Sequence, residues 1–120
     1  QILDQEKKAM FKKNSAALTK KARRLLALVG SLVSKLPNDV KITGHTEDNG
    51  FQRDANYSNW ELSSERAAVA RKWLVDAGVA EDQIVLVEGK ASTDLLVLED
   101  PKSERNRRIS ILLAHEEPEE

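Results

Sequence analysis

An α+β domain with a small mixed sheet and helices packed on one face of it is the fold this sequence predicts. Two long apolar stripes at helical spacing, three short β-type runs, and a strand–helix–strand order that makes the flanking strands parallel neighbours carry that prediction.

Residues 1–13 are polar and Lys-rich with no sustained period, and read as an extended lead-in with a short strand near Ile2 and Leu3. From Ser15 to Leu36, the residues Leu18, Ala22, Leu25, Leu26, Val29, Leu32, Val33 and Leu36 recur at three- and four-residue steps. That is an amphipathic helix, stopped by Pro37 and Asn38. Val40 to Thr43 alternates apolar with polar before Gly44, which suits a short half-buried strand. Residues 45–57 are polar and aperiodic around Gly50, an exposed loop of the kind that carries binding groups. Ser58 and Glu61 form an S-x-x-E capping box, so the second helix starts near Asn59; it ends at Gly78.

The run Ile84 to Val87 predicts a further strand, and Ile109, Ile111 and Leu113 alternating about Ser110 predict the last. Between them, the stretch from Gly89 to Arg105, with Asp100, Pro101 and Ser103, reads as a mobile connection. The terminal EEPEE, residues 116–120, reads as a disordered acidic tail. The resulting division is a lead-in over 1–13, a domain over 14–115 and the tail.

With 120 residues and 40% apolar content, the chain fits one domain with a modest core. A charged fraction of 32% and a net charge of -1 argue against a strongly basic nucleic-acid binder, and clustered aromatics for base stacking are missing too. The charge is uneven: residues 1–36 carry nine Lys or Arg against two acids, whereas residues 37–120 carry ten against eighteen. The basic end is a solvated helix face or a contact for an anionic polymer or surface. Without cysteine there is no disulfide, thiolate metal site or Cys nucleophile. The longest apolar stretch, Leu25 to Leu36, is broken by Gly30, Ser31, Ser34 and Lys35, short of the roughly 18 unbroken residues of a membrane span. Because the chain opens on Gln1, a signal peptide or membrane anchor is expected ahead of it.

One residue breaks the pattern. At about 100° per residue, the second helix gathers Leu62, Val69, Ala70, Trp73, Leu74 and Ala77 on one face, and Arg66 falls among them. A guanidinium is buried cheaply only when paired, so Arg66 either forms an ion pair with Glu47 or Asp48 or points at an anionic ligand near the helix start.

Three segments converge in such a fold: GHTEDNG (Gly44 to Gly50), the helix opening Asn59–Arg66, and Asn106-Arg107-Arg108 before the last strand. Gly44, His45 and Thr46, then Asn59, Leu62, Ser63, Arg66 and Ala67, then the Asn-Arg-Arg run resemble the motifs of the outer membrane protein A-like peptidoglycan-binding family. The resemblance spans nearly everything from Met10 onward. The wording YSNWELSSERA (Tyr57 to Ala67), MFKKNSAAL and LPNDVKITGHTED is most similar to the flagellar stator branch of that family, the MotB-like subunits.

The resemblance implies an OmpA-like βαβαβ(β) sandwich and non-catalytic recognition of the cell-wall peptide stem through the zwitterionic end of diaminopimelate. It implies a peptidoglycan site of Thr46, Glu47, Asp48, Asn59, Leu62, Arg66 and Arg107, with no metal and no cofactor. Arg66 would clamp the carboxylate bidentately and an acid of the 44–50 loop would take the ammonium. On that reading, Arg66→Ala stays folded and loses retention on the wall. The family acid after Thr46 is Asp; here it is Glu47, followed by Asp48, so either acid could serve. The stator branch further implies a homodimer, a periplasmic location, a single N-terminal inner-membrane helix and a MotA-like membrane channel partner, with residues 1–13 acting as a gating linker. The alternatives within the family are an outer-membrane lipoprotein and a type VI secretion anchor.

Plainer readings stand beside these. Thr46 and Asn59 suit ordinary loop and cap positions. Arg107 and Arg108 suit structural salt bridges, and Trp60 and Trp73 suit packing, although Trp60 lies near enough to the loop to meet a glycan. His45, Glu47 and Asp48 together offer a remote metal-dependent hydrolase reading, but the segment lacks the helical i, i+4 spacing of a zincin and no nucleophile stands nearby.

Overall fold

Thr19 Oγ1 accepts from the Ala22 N–H at 3.3 Å, and with that cap the first helix, α1, runs from Lys20 to Val33. The computed structural model describes residues 9–114; the strand expected near Ile2 and Leu3 and the tail of residues 116–120 lie outside that range. α1 starts five residues later than the periodicity from Ser15 implies, because the preceding segment folds back on itself. Phe11 bridges Leu18 antiparallel, Lys12 N–H donates to the Ala17 carbonyl, and Asn14 turns the chain at φ 53°. Met10 and Phe11 are 1% and 0% exposed and belong to the main core cluster. The packed unit therefore begins by Ala9, which moves part of the expected lead-in into the domain.

Strand β1 (Asp39–Gly44) alternates inward and outward, burying Val40, Ile42 and Gly44. Residues 52–58, inside what the sequence presents as an open loop, form a hairpin of β2 (Gln52–Asp54) and β3 (Tyr57–Ser58). Strands of three and two residues are too short to leave a period. The second helix, α2 (Asn59–Asp76), opens with both halves of its capping box in place, Glu61 reaching back to the Ser58 N–H at 2.7 Å. Gly78, at φ 118°, lets the chain leave it.

Strands β4 (Ile84–Gly89) and β5 (Ile109–Ala114) flank β1 in the order β4-β1-β5. β4 runs parallel to β1 and β5 antiparallel, the mixed sheet that the element order implies. Ala22, Leu26 and Val33 of α1, Ala67, Ala70 and Leu74 of α2, and Val40, Ile42, Ile109 and Ile111 of the sheet share one core. The continuous apolar run of β4 lies at the sheet's edge, which leaves Val85 51% exposed.

α2 lies almost on the sheet backbone at two places. A Cβ added at Gly44 would meet the Ser63 carbonyl at 2.0 Å, and one at Gly89 would meet the Ser64 amide nitrogen at 2.4 Å. Both obstacles include helix backbone, which cannot rotate away. Gly44→Ala and Gly89→Ala should each therefore destabilise by about 3 kcal/mol or more, read as a lower urea midpoint. Wild-type midpoints would show that α2 is held less tightly than described.

Candidate functional site

β1 leads directly into His45, Thr46 and Glu47, and these three are buried rather than presented on an exposed loop. Backbone bonds hold them from two sides: His45 N–H donates to the Arg108 carbonyl and Thr46 N–H to that of Ala91. Asp48 N–H donates to Pro101 at 2.7 Å, while its side chain is exposed. The Gly89–Arg105 connection is accordingly anchored, not loose. Asn106, itself 1% exposed, takes the Val97 N–H and donates to the carbonyls of Asp100 and Pro101.

Arg66 is 1% exposed, and all three of its nitrogens donate to backbone. Nε reaches the Ser15 carbonyl at 2.9 Å, Nη1 that of His45 at 3.1 Å and Nη2 that of Lys12 at 3.3 Å. Its guanidinium carbon stands 4.9 Å from the centre of the Phe11 ring. Burial, and after it the Arg107 charge, draws its pKa down to about 10, so it stays cationic at neutral pH. No ion pair with Glu47 or Asp48 forms among the described residues; backbone carbonyls take that place. This corrects the expectation of an Arg66 fork open at the helix mouth, and with it the expectation that truncating Arg66 spares the fold.

Glu47 instead faces Arg107, Oε1 to Nη1 at 3.6 Å, with both side chains under a tenth exposed. Arg107 also reaches Glu104 at 3.2 Å. Asn59 Nδ2 donates to the Glu47 carbonyl and to Asn49 Oδ1, and Asn49 in turn donates to Asn14. Leu62, in the first turn of α2, is buried. Thr46, Glu47, Asn59, Arg66 and Arg107 therefore gather around the start of α2, with Asp48 on its exposed rim. Asn49 is a site residue that the sequence reading did not single out, although the Asn49-Gly50 pair, a common turn dipeptide, was an available signal; Asn106, named there as part of the Asn-Arg-Arg motif, holds the preceding connection.

Thr46 Oγ1, Asn59 Oδ1 and Arg107 Nε are buried with no hydrogen-bond partner among the described residues. His45 Nδ1 and Arg108 Nε share that condition on the far side, where Ser110 Oγ stands 2.8 Å from His45 Nε2 and accepts from Arg108 Nη1 at 2.6 Å. His45, Glu47 and Asp48 thus face three different ways. Among the described residues, no group of three or more His, Cys, Asp or Glu could hold a metal. Trp60, at the first turn of α2, is 54% exposed, whereas Trp73 packs against the core.

The sequence profile of the OmpA family matches residues 10–108, which include all three motif segments. The chain belongs to the OmpA family. This OmpA-family domain is 33% identical to Motility protein B of Escherichia coli K12 across its whole length, and spans 39% of the length of that relative. Its fold matches the C-terminal domain of Helicobacter pylori MotB at a TM-score of 0.77, with 22% identity over 91% of this chain and 85% of that one. It also matches the cell wall anchor of the type VI secretion system of Pseudomonas aeruginosa, at a TM-score of 0.70 and 25% identity over 88% of this chain and 76% of that one. No helix among the described residues is long and apolar enough to cross a membrane.

Two outcomes follow from the burial. Arg66→Met strips three carbonyls of a charged donor, so it should destabilise by about 3 kcal/mol or more in urea unfolding; an unchanged midpoint would contradict the bonding described. His45, with Arg108 assisting burial, is held at a pKa of about 4 against an ordinary 6.5. Between these values the unfolded chain binds more protons, so stability is whole above pH 6.5 and falls as pH drops towards 4. The loss is at most about 3 kcal/mol, and a His45→Gln variant should not show it in that window.

Proposed function

We propose that this domain binds peptidoglycan without catalysis, taking the diaminopimelate end of a stem peptide, and that it anchors a flagellar stator unit to the cell wall. The observation that carries the reading is the set of buried, unpaired polar atoms of Thr46, Asn59 and Arg107 around a buried cation at the start of α2. Each such atom costs about 1–3 kcal/mol if nothing bonds it, so a chain that keeps three of them together suits a polar guest.

Diaminopimelate carries a carboxylate and an ammonium side by side. The carboxylate is assigned to Arg66 at Nη2, where it displaces the Lys12 carbonyl, the longest of the three bonds at 3.3 Å. Arg107 adds positive potential, and Thr46 and Asn59 supply hydrogen bonds. The ammonium falls to Asp48, which is exposed and has no ion pair among the described residues; Glu47 is already committed to Arg107. That division accounts for a Glu in the position where the family carries Asp, since the next residue takes over the task. Leu62 supports the helix start from beneath.

Similarity to Motility protein B supports the stator role. The whole protein then carries an N-terminal inner-membrane helix, works beside a MotA-like channel partner, forms a homodimer and holds this domain in the periplasm. The part of the expected linker ahead of Ala9 gates attachment.

Retention on purified sacculi tests the site. Asp48→Asn should keep the wild-type melting temperature and weaken retention by about tenfold, as expected for one lost charge-assisted bond. If Asp48→Asn and Glu47→Gln both bind like wild type, neither acid takes the ammonium and the assignment fails.

A further inference from the structure

The turn that holds Arg66 has a second side. A groove of about 500 Å³ opens there, lined by Lys12, Leu18, Lys20, Arg23, Val69 and Trp73 among others, with no acidic residue in its wall. The three cations are exposed, and none of them forms an ion pair among the described residues. Leu18 is buried and Val69 and Trp73 are half-buried, so an apolar floor with an indole lies beneath the charged rim. α1 also carries Lys20, Lys21, Arg23 and Arg24 in its opening turns with no acid in the first. Cations at the positive end of a helix work against its stability, so the pattern opposes what the helix alone would favour. Local charge optimisation does not explain the groove.

We propose that this groove is a second, carboxylate-selective subsite for the wall polymer, one that takes the acidic groups of a stem peptide adjoining the one at Asp48 and Arg66. The proposal rests on the peptidoglycan reading above. Two features select that occupant over a generic anion. The groove and the motif site share one short turn: Lys12 and Ser15 give their carbonyls to Arg66, while Lys12 and Ala16 to Lys20 line the groove. A polymer with repeated peptide stems can meet both faces at once, and two weak contacts on one polymer reinforce each other. The floor also suits the aliphatic body of a peptide or the apolar face of a sugar better than a bare inorganic anion, while flexible lysines suit carboxylates arriving at varied angles.

The test uses Lys20→Gln/Arg23→Gln, whose side chains are exposed and whose replacements keep helix propensity, so its melting temperature should equal or exceed that of wild type. Retention on sacculi at low salt should fall by about fivefold and lose much of its salt dependence, as expected when two screened charges are removed. Affinity for a single soluble stem peptide ending in diaminopimelate should be unchanged, because that ligand occupies only the motif site. Arg23→Gln alone should move retention in the same direction by less. Wild-type retention and salt dependence in the double variant would overturn the subsite and leave the motif site standing. Loss of binding to phosphatidylglycerol vesicles with unchanged sacculus retention would overturn it in favour of a membrane surface. Wild-type protein that ignores sacculi altogether would remove both readings.

Discussion

A single guanidinium organises this domain. Arg66 leaves the buried face of α2 and spends its nitrogens on the carbonyls of Lys12, Ser15 and His45, so two separate stretches of chain close on one planar cation carried by a third. A guanidinium has the shape to satisfy several carbonyls at once, and its high intrinsic pKa keeps it charged even when burial lowers it to about 10. The N-terminal turn, the end of β1 and the opening of α2 are therefore one structural unit.

The close helix-to-sheet approach has the same purpose. Gly44 and Gly89 let α2 lie against the sheet backbone, with Ser63 between them donating to Trp60 O and accepting from Ala91 N–H. This puts the start of α2 beside the chain leaving β1, and Asn59 then ties the two together through the Glu47 carbonyl. Strain-free packing at those glycines and polar bonding at the helix mouth are two parts of one arrangement, which brings Thr46, Glu47, Arg66 and Arg107 together and leaves Asp48 at the surface.

Much of this was legible in the sequence. The apolar stripe of α2, its capping box and its glycine stop are local signals, and each appears where expected because no tertiary contact competes with it. Arg66 stood out for a sound reason, a charge on an apolar face. What it bonds to was not legible, because backbone carbonyls carry no sequence signature, and the charged residues nearby suggested an ion pair instead. The start of α1 was misplaced for a related reason: Leu18 keeps the helical step but serves as the partner of Phe11 in a bridge. Met10 and Phe11, two adjacent buried residues, form too short a run to show any period. In the 45–57 segment, polarity suggested exposure, yet His45, Thr46 and Glu47 are buried because their polar groups are matched, or held ready, within the motif cluster.

Locking Arg66 against carbonyls and using it to receive a ligand are compatible only if one of its bonds yields on binding. The most direct measurement is an NMR titration of the isotope-labelled domain with a stem peptide ending in diaminopimelate, following the Arg66 Nε–H beside the backbone amides of Thr46, Asp48 and Asn59. The account predicts that all four shift together along one binding curve, with the Ser15 amide, which donates to the Lys12 carbonyl, following as that carbonyl is released from Arg66. Saturable binding that shifts other regions and leaves Arg66 and Asp48 unmoved would contradict it.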